Sequence, residues 1–367
     1  MRAARLHEVG GTFRIDEVER PTPGAYDVVV RVDAANLVPN LRNVINTYPT
    51  EKPFLPLPEL PAIFGMDVAG TIEEVGSRVR NLTPGTRVYL NPGRDSGDSW
   101  AARNNEPMND PAYTFQGYFG FGPGSKEIHK DYPHGGLCQY VNAPASSVVV
   151  IPDSVTPDQA SRFGYLGTAY SGLRKGDVRG GSSVLIHGVT GTLGVSAVLL
   201  ARAMGATKIL GVARNKELLE RVRKIDPDRI AVLSYGARDV GDWVREYTDG
   251  RGADVFLDAT GPTATADVTM AGLWALRRGG RMVSIGAMPE PLPLPMYRLM
   301  TLHISIFGSL WFTVAEGEDM ARMAAAGTLD LSHFESRTFP LEQANEALAA
   351  AADRDGGFTS IIVTPHA

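Results

Sequence analysis

VLIHGVTGTLGVSAVLLARAM, residues 184–204, decides the fold of this chain. It opens on a β-branched apolar run, Val184-Leu185-Ile186, suited to a parallel strand buried on both faces. Gly188, Gly191 and Gly194 follow in the spacing G-x-x-G-x-x-G, and Leu193, Ala197, Leu200, Ala201 and Met204 then recur at helical spacing. Strand, glycine turn and helix in that order predict a dinucleotide site. Glycines let the backbone turn tightly and approach a pyrophosphate, and the helix N-terminus offers unpaired N–H groups to the phosphates. The expected cofactor contacts in this turn are Gly188, Thr190, Gly191, Thr192, Leu193 and Gly194.

The end of the next strand selects the dinucleotide. Lys208–Val212 reads as that strand, and Ala213 stands where an NAD site carries the acid that holds the ribose 2′-hydroxyl. Arg214 and Lys216 follow, two cations suited to a 2′-phosphate, so the expected cofactor is NADP(H).

Strands and helices alternate beyond this unit. A helix starts at Lys216 and leads to a strand over 230–233. A helix around Trp243 precedes 253–257, one around Met270 precedes 281–285, and 304–310 is the last strand of the sheet. Such alternation builds a doubly wound parallel sheet with right-handed crossovers. A helix over 157–171 leads into it. Further upstream, 28–32, 68–72 and 87–90 read as short strands between Pro- and Gly-rich turns, the pattern of a small β-rich domain partly closed as a barrel. Residues 91–134 are polar, glycine-rich and aromatic without a clear period, and loops of that length are usually functional. Strand character returns over 137–151. The tail, with a helix over 341–351 and a strand over 360–363, does not extend the alternation.

A chain of 367 residues has room for two domains. A net charge of −5 argues against a nucleic-acid partner. The single cysteine, Cys138, excludes a disulfide framework or a cysteine-rich metal cluster and suits a reducing cytoplasm. The opening MRAARLHEVGGTFRIDE lacks the apolar core of a secretory signal, and no window is apolar for long enough to span a membrane. The expectation is a cytoplasmic protein with a small-molecule substrate and neither a nucleic-acid nor a membrane partner.

GMDVAGTIEEVGSRVRNLTPGTRV at 65–88, GGLCQYV at 135–141, the glycine turn, DGRGADVFLDATG at 249–261, RRGGRMVSIGA at 277–287 and the closing TFPLEQANEAL together resemble the medium-chain dehydrogenase/reductase superfamily. The resemblance implies an α/β protein with a GroES-like β-rich catalytic domain over 1–152, to which 312–367 return, and a Rossmann doubly wound parallel-sheet domain over 153–311. It also implies a homodimer through the last Rossmann strand.

The sequence departs from the zinc alcohol dehydrogenases of that superfamily at their metal ligands. The positions of their catalytic Cys, His and Cys align with Val38, Met66 and Gly164, and only Asp67, in place of Glu, is left. None of the three can give zinc a thiolate or an imidazole. The cysteines of the structural zinc lobe are absent from 91–134, and His129, Asp131 and His134 in that segment read as solvated polar residues. The chain thus resembles the zinc-independent branch, in the style of the quinone oxidoreductases, with Met66 as an apolar plug and no metal. In that branch a Tyr at the place of Tyr235 lies near the 2′-phosphate, and a Thr at the place of Thr168 lies beside the cofactor; Gly286 joins the expected cofactor contacts.

Without zinc, charge that builds on the substrate oxygen must be met by hydrogen-bond donors or delocalised by the substrate itself. By alignment Asn40 falls where the zinc enzymes place the hydroxyl that contacts the alcohol, and Asn43 falls on the relay His; with Tyr48 they are the expected catalytic group. Amides donate but transfer no proton at neutral pH, whereas Tyr48, on the following loop, can supply one if its pKa is lowered or a water intervenes. Three readings stay open: a zinc-independent reductase of quinones, enones or activated carbonyls; a metal-free alcohol dehydrogenase or ketoreductase acting on C=O; and a non-catalytic NADPH-binding sensor or structural protein.

Overall fold

The computed structural model describes residues 1–353 and 356–367. Six parallel strands form the nucleotide-side sheet in the spatial order Ile230–Ser234, Lys208–Ala213, Ser183–His187, Ala253–Asp258, Leu276–Ser284 and Ser305–Gly308. Ser183–His187 is buried at every position, which is why it reads as an unbroken apolar run instead of an alternating one. Its two faces feed separate cores. Val184 and Ile186 pack with Val195, Val198 and Leu199 of the helix Thr192–Ala203, while Leu185 packs with Phe256 and Trp243 on the other side. The strand order reverses between Ser183–His187 and Ala253–Asp258, so a crevice opens at the carboxyl ends of these two strands.

The other domain is built on the long strand Asp27–Asn36. It pairs antiparallel with Asp67–Val75 along one edge, and with Tyr140–Pro144 and Thr359–Thr364 along the other. The tail strand therefore belongs to the first sheet, in the register Val363 to Ala35 and Ile362 to Asn36. Arg87–Leu90 and Val148–Val150 extend this sheet beyond Asp67–Val75, and Glu335–Pro340 extends it beyond the tail strand. A smaller sheet, Phe13–Glu17, Arg2–Leu6 and Ala62–Ile63, lies apart from it.

The helix expected over 157–171 is broken. Pro157–Ala160 is a short helix closed by a capping box from Thr156, and Phe163–Lys175 is the long one. Residues 91–134 hold more structure than their composition suggests, with short helices at Trp100–Arg103 and Ser125–Asp131 and a two-stranded pair at 93–94 and 114–115. Rings hold this segment together. Phe115 lies 4.7 Å from Trp311 and 5.2 Å from Phe121, and Asn91 ties the segment to Trp311 and Phe312 by hydrogen bonds. Among the described residues no helix is long and apolar enough to cross a membrane.

Candidate active site

A cleft of about 450 Å³ opens at the strand-order reversal, lined by Gly188, Thr190, Gly191, Arg214 and Tyr235, with residues from 260–265 opposite. Gly188 takes φ 72°, and a Cβ there would stand 2.6 Å from the Ala259 carbonyl oxygen. A Cβ on Gly194 would stand 2.2 Å from the Gly188 carbonyl oxygen, so this glycine lets the helix press against the turn. Gly191 is the N-cap of Thr192–Ala203 and has no side chain to cover the first N–H groups, which suit a pyrophosphate. Thr192 is buried at the helix start and Leu193 packs against the core. The residues present therefore fit a dinucleotide.

The two expected cations behave differently. Arg214 lines the cleft and, among the described residues, makes no ion pair; the Tyr235 N–H donates to Ala213 at 2.8 Å and brings the phenol to the same end. Lys216 takes the first position of the helix Lys216–Arg223, which Asn215 caps by accepting from the N–H groups of Glu217 and Leu218, and it is not part of the lining. Thr168 and Gly286 also lie outside the lining. The Thr168 hydroxyl donates to the Gly164 carbonyl at 2.9 Å, and a Cβ on Gly286 would stand 2.3 Å from the Thr260 carbonyl oxygen.

Sequence reasoning misses His187, the last residue of the central strand. It is fully buried, lines the cleft and packs on Phe256 with ring centroids 4.7 Å apart. Burial drives its pKa down to about 4 although the Asp258 carboxylate opposes the shift, so the imidazole is neutral. Asp258 accepts instead from the hydroxyls of Thr260 and Thr269, and Val268 approaches the ring without a well-aligned bond. Neither ring nitrogen has a hydrogen-bond partner among the described residues. An orphaned imidazole in this lining suits a polar group of a bound nucleotide. The one available signal was a histidine ending an otherwise apolar strand just before the glycine turn.

Val38, Met66 and Asp67 are buried, and a Cβ on Gly164 would stand 2.1 Å from the Asp67 Oδ1. The carboxylate thus occupies the space that a side chain at position 164 would need. Tyr89 donates to Asp67 Oδ1 at 2.8 Å. Burial raises the Asp67 pKa to about 7, against the pull of that hydrogen bond and of the Arg162 charge. A valine, a thioether, an absent side chain and one carboxylate already bonded to a phenol do not fit zinc. Among the described residues no group of three or more His, Cys, Asp or Glu side chains is arranged for a metal. His129 is buried and held neutral, its pKa lowered by burial to about 4, and with His134 it lines a cleft of about 880 Å³ whose lining shares no residue with the first.

Asn40, Asn43 and Tyr48 do come together. The Asn40 Nδ2 donates to the Tyr48 hydroxyl at 2.8 Å, and the Asn43 Nδ2 donates to the Asn40 Oδ1 at 3.0 Å. Tyr48 lies not on a loop but at the start of a short helix, Tyr48–Glu51, where Pro49 suits the first turn. Its ring packs 5.5 Å from Phe119, and the Lys52 ammonium lies 4.5 Å from the ring centroid.

Two family models match the chain: "Alcohol dehydrogenase GroES-like domain" over residues 24–153 and "Zinc-binding dehydrogenase" over 192–326. Sorbitol dehydrogenase of Rattus norvegicus is 28% identical over 293 residues, 79% of this chain and 77% of the relative. Alcohol dehydrogenase of Geobacillus stearothermophilus is 27% identical over 337 residues, 89% and 90% of the two chains. Among solved structures, alcohol dehydrogenase TADH from Thermus sp. ATN1 matches with TM-score 0.83 and 24% identity over 99% of this chain and 100% of that one. A zinc-binding dehydrogenase from Sinorhizobium meliloti 1021 bound to NADP matches with TM-score 0.83 and 21% identity over 99% of each. At such identities the structures speak for the fold alone.

Proposed function

Since the chain belongs to the medium-chain dehydrogenase/reductase superfamily, we propose that it is an NADP(H)-dependent, zinc-independent oxidoreductase that passes a hydride to a quinone, an enone or an activated carbonyl. The observation that carries this reading is the filled metal position, where Asp67, bonded to Tyr89, takes up the room beside Gly164. The bound nicotinamide supplies a hydride. Asn40, Asn43 and Tyr48 are the donors that meet the charge building on the substrate oxygen, and a substrate that delocalises this charge asks least of them. Gly188 to Gly194 hold the pyrophosphate, Arg214 and Tyr235 the 2′-phosphate, and Thr168 and Gly286 flank the rest of the cofactor.

The names of the relatives favour the second reading, a metal-free alcohol dehydrogenase or ketoreductase acting on C=O. We keep the division into 1–152 with 312–367 and 153–311. The cytoplasm as compartment goes with this reading, since the one cysteine, Cys138, is buried and unpaired. A homodimer goes with it too: Ile306 and Phe307 on the edge strand and Leu310 just beyond it are exposed, next to Met296, Tyr297 and Met300.

The test is steady-state oxidation of NADPH and of NADH in EDTA, with a quinone, an enone and an activated ketone. EDTA-resistant turnover that prefers NADPH is the expected result, and the substrate reduced separates the two readings. Activity that EDTA abolishes and zinc restores would overturn the metal-free mechanism.

A further inference from the structure

Arg94 is a buried cation without a counter-ion. It is 4% exposed, and neutral groups hold its guanidinium: Nη1 donates to the Asn91 carbonyl at 2.6 Å and to the Gly93 carbonyl at 2.8 Å, and Nη2 donates to the Gln116 amide oxygen. These bonds use three of its five N–H donors. The Nε is buried with no hydrogen-bond partner. Asp27 and Asp95 are the carboxylates whose charge reaches it, and among the described residues neither forms an ion pair with it. Asp27 accepts instead from the Tyr132 hydroxyl and the Asn142 amide, and Asp95 from the Gly97 N–H. Burial lowers the Arg94 pKa only to about 10, so the charge persists at neutral pH. Charges taken out of water are ordinarily paired, because leaving them alone is costly.

Arg94 lines a cleft of about 610 Å³ between the 91–134 segment and the start of the tail helix Val314–Ala325. The lining shares no residue with the dinucleotide cleft and includes none of Asn40, Asn43 and Tyr48. Two further sets of donors stand on it. Tyr113 is also 4% exposed, and its hydroxyl makes no hydrogen bond among the described residues. The phenol oxygen rests against Gly93, where a Cβ would stand 2.2 Å from it. Burial raises the Tyr113 pKa, so the phenol keeps its proton. At the helix start, the capping box satisfies the N–H groups of Thr313 and Glu316. Those of Val314 and Ala315, both on the lining, are left without a bond and carry the positive end of the helix dipole.

A guanidinium, a phenol and two backbone N–H groups are all donors, and donors without acceptors suit an oxyanion. Asp95 lies on the same lining and limits the charge of the guest, so a monoanion fits where a dianion meets repulsion. Ala102, Pro107 and Met108 supply an apolar wall for a hydrocarbon body.

We propose that this cleft is a second ligand site, which holds a small organic monocarboxylate with its carboxylate toward Arg94, Tyr113 and the helix start. The guest bridges the 91–134 segment and the tail, so its binding stabilises the folded chain by mass action. The site stands apart from the hydride-transfer reading and does not depend on it.

The probe is benzoate, titrated by calorimetry at fixed ionic strength into the full chain saturated with NADP⁺. Benzamide serves as its uncharged counterpart and inorganic phosphate as the other oxyanion. Wild type should bind a single benzoate, gain Tm as benzoate rises, and bind benzamide and phosphate far more weakly. Tyr113→Phe removes an O–H that the protein itself does not use. Val314→Pro removes one free N–H at the helix position where proline is well suited. Each should weaken benzoate by at least about tenfold, the worth of a hydrogen bond to a charged group. Arg94→Met should abolish binding; if loss of its carbonyl bonds unfolds the chain, the two milder variants decide. No saturable benzoate binding by wild type, or unchanged affinity in both Tyr113→Phe and Val314→Pro, overturns the site. Phosphate bound as tightly as benzoate, with the same losses in the variants, overturns the monocarboxylate assignment.

Discussion

Asp67 and the buried histidines pull stability in opposite directions as pH changes. The folded chain raises the Asp67 pKa from 3.8 to about 7, so it retains a proton that the unfolded chain releases, and stability falls as pH rises through that window. The limiting slope for one such group is about 1.4 kcal/mol per pH unit. His187 and His129 are lowered from 6.5 to about 4, so their contribution is lost as pH falls through that range. Asp67→Asn removes the first trend and leaves the second unopposed. The variant should melt higher than wild type at pH 8 and lose Tm more steeply below pH 6, read by thermal melts across pH. Parallel profiles would mean that Asp67 titrates as an ordinary carboxylate. Arg214 allows a second test at this scale. Arg214→Ser should weaken NADPH binding by about 10- to 100-fold, the worth of a charge-assisted bond, and leave NADH within about twofold. Equal losses for both cofactors would remove the 2′-phosphate from Arg214. Asn40 and Asn43 were named from family positions and Tyr48 from its nearness in sequence, and the structure brings the three side chains together. His187 was not legible, because its burial and its place in the cleft lining exist only in the folded chain.

Among the elements, the parallel sheet was the most legible part, because strands buried on both faces need unbroken apolar runs and Val184–Ile186 is one; 230–233, a half-buried edge strand, is apolar too, and 253–257 is interrupted only by Asp254. Short helices such as Leu41–Asn46 and Ser125–Asp131 leave little trace in sequence, since a turn or two of helix is held by what it packs against. The tail was half legible: its strand was expected, but its approach to the glycine turn was not. Arg162 is buried at the start of Phe163–Lys175 and donates to the Gly357 carbonyl at 2.6 Å and to the Ser360 hydroxyl. That holds the tail against the turn so closely that a Cβ on Gly357 would stand 2.2 Å from the Gly191 carbonyl oxygen and 2.6 Å from the Thr192 nitrogen. These are backbone atoms, so Gly357→Ala must displace either the tail or the turn. Cofactor affinity should fall at least tenfold in this variant, measured by fluorescence titration with NADPH, and a Kd within twofold of wild type would show that the turn yields at no cost to binding.

For the whole molecule, the open question is what covers the last sheet edge. Ser305–Gly308 pairs on one side with Leu276–Ser284 and on the other with no described strand, and its Ile306 and Phe307 are about a third exposed, at 37% and 36%. An unprotected apolar edge invites another strand, and natural proteins usually blunt one with charge or proline. No charged residue or proline falls between 304 and 310. Met296, Tyr297 and Met300 on the adjoining helix are 67–77% exposed and widen the patch. A second copy related by a twofold axis would meet this edge with its own, antiparallel, and continue the sheet across both subunits, each apolar face covering its equivalent. A stable contact of this kind buries about 1,200–2,000 Å² in total, so the helix must take part along with the short strand. Sedimentation should therefore give twice the 39.4 kDa chain mass for wild type, and Phe307→Glu with Met300→Glu should shift it to monomer with the cofactor still bound. A monomeric wild type at micromolar concentration would leave the edge to some other partner, and the dimer would be withdrawn.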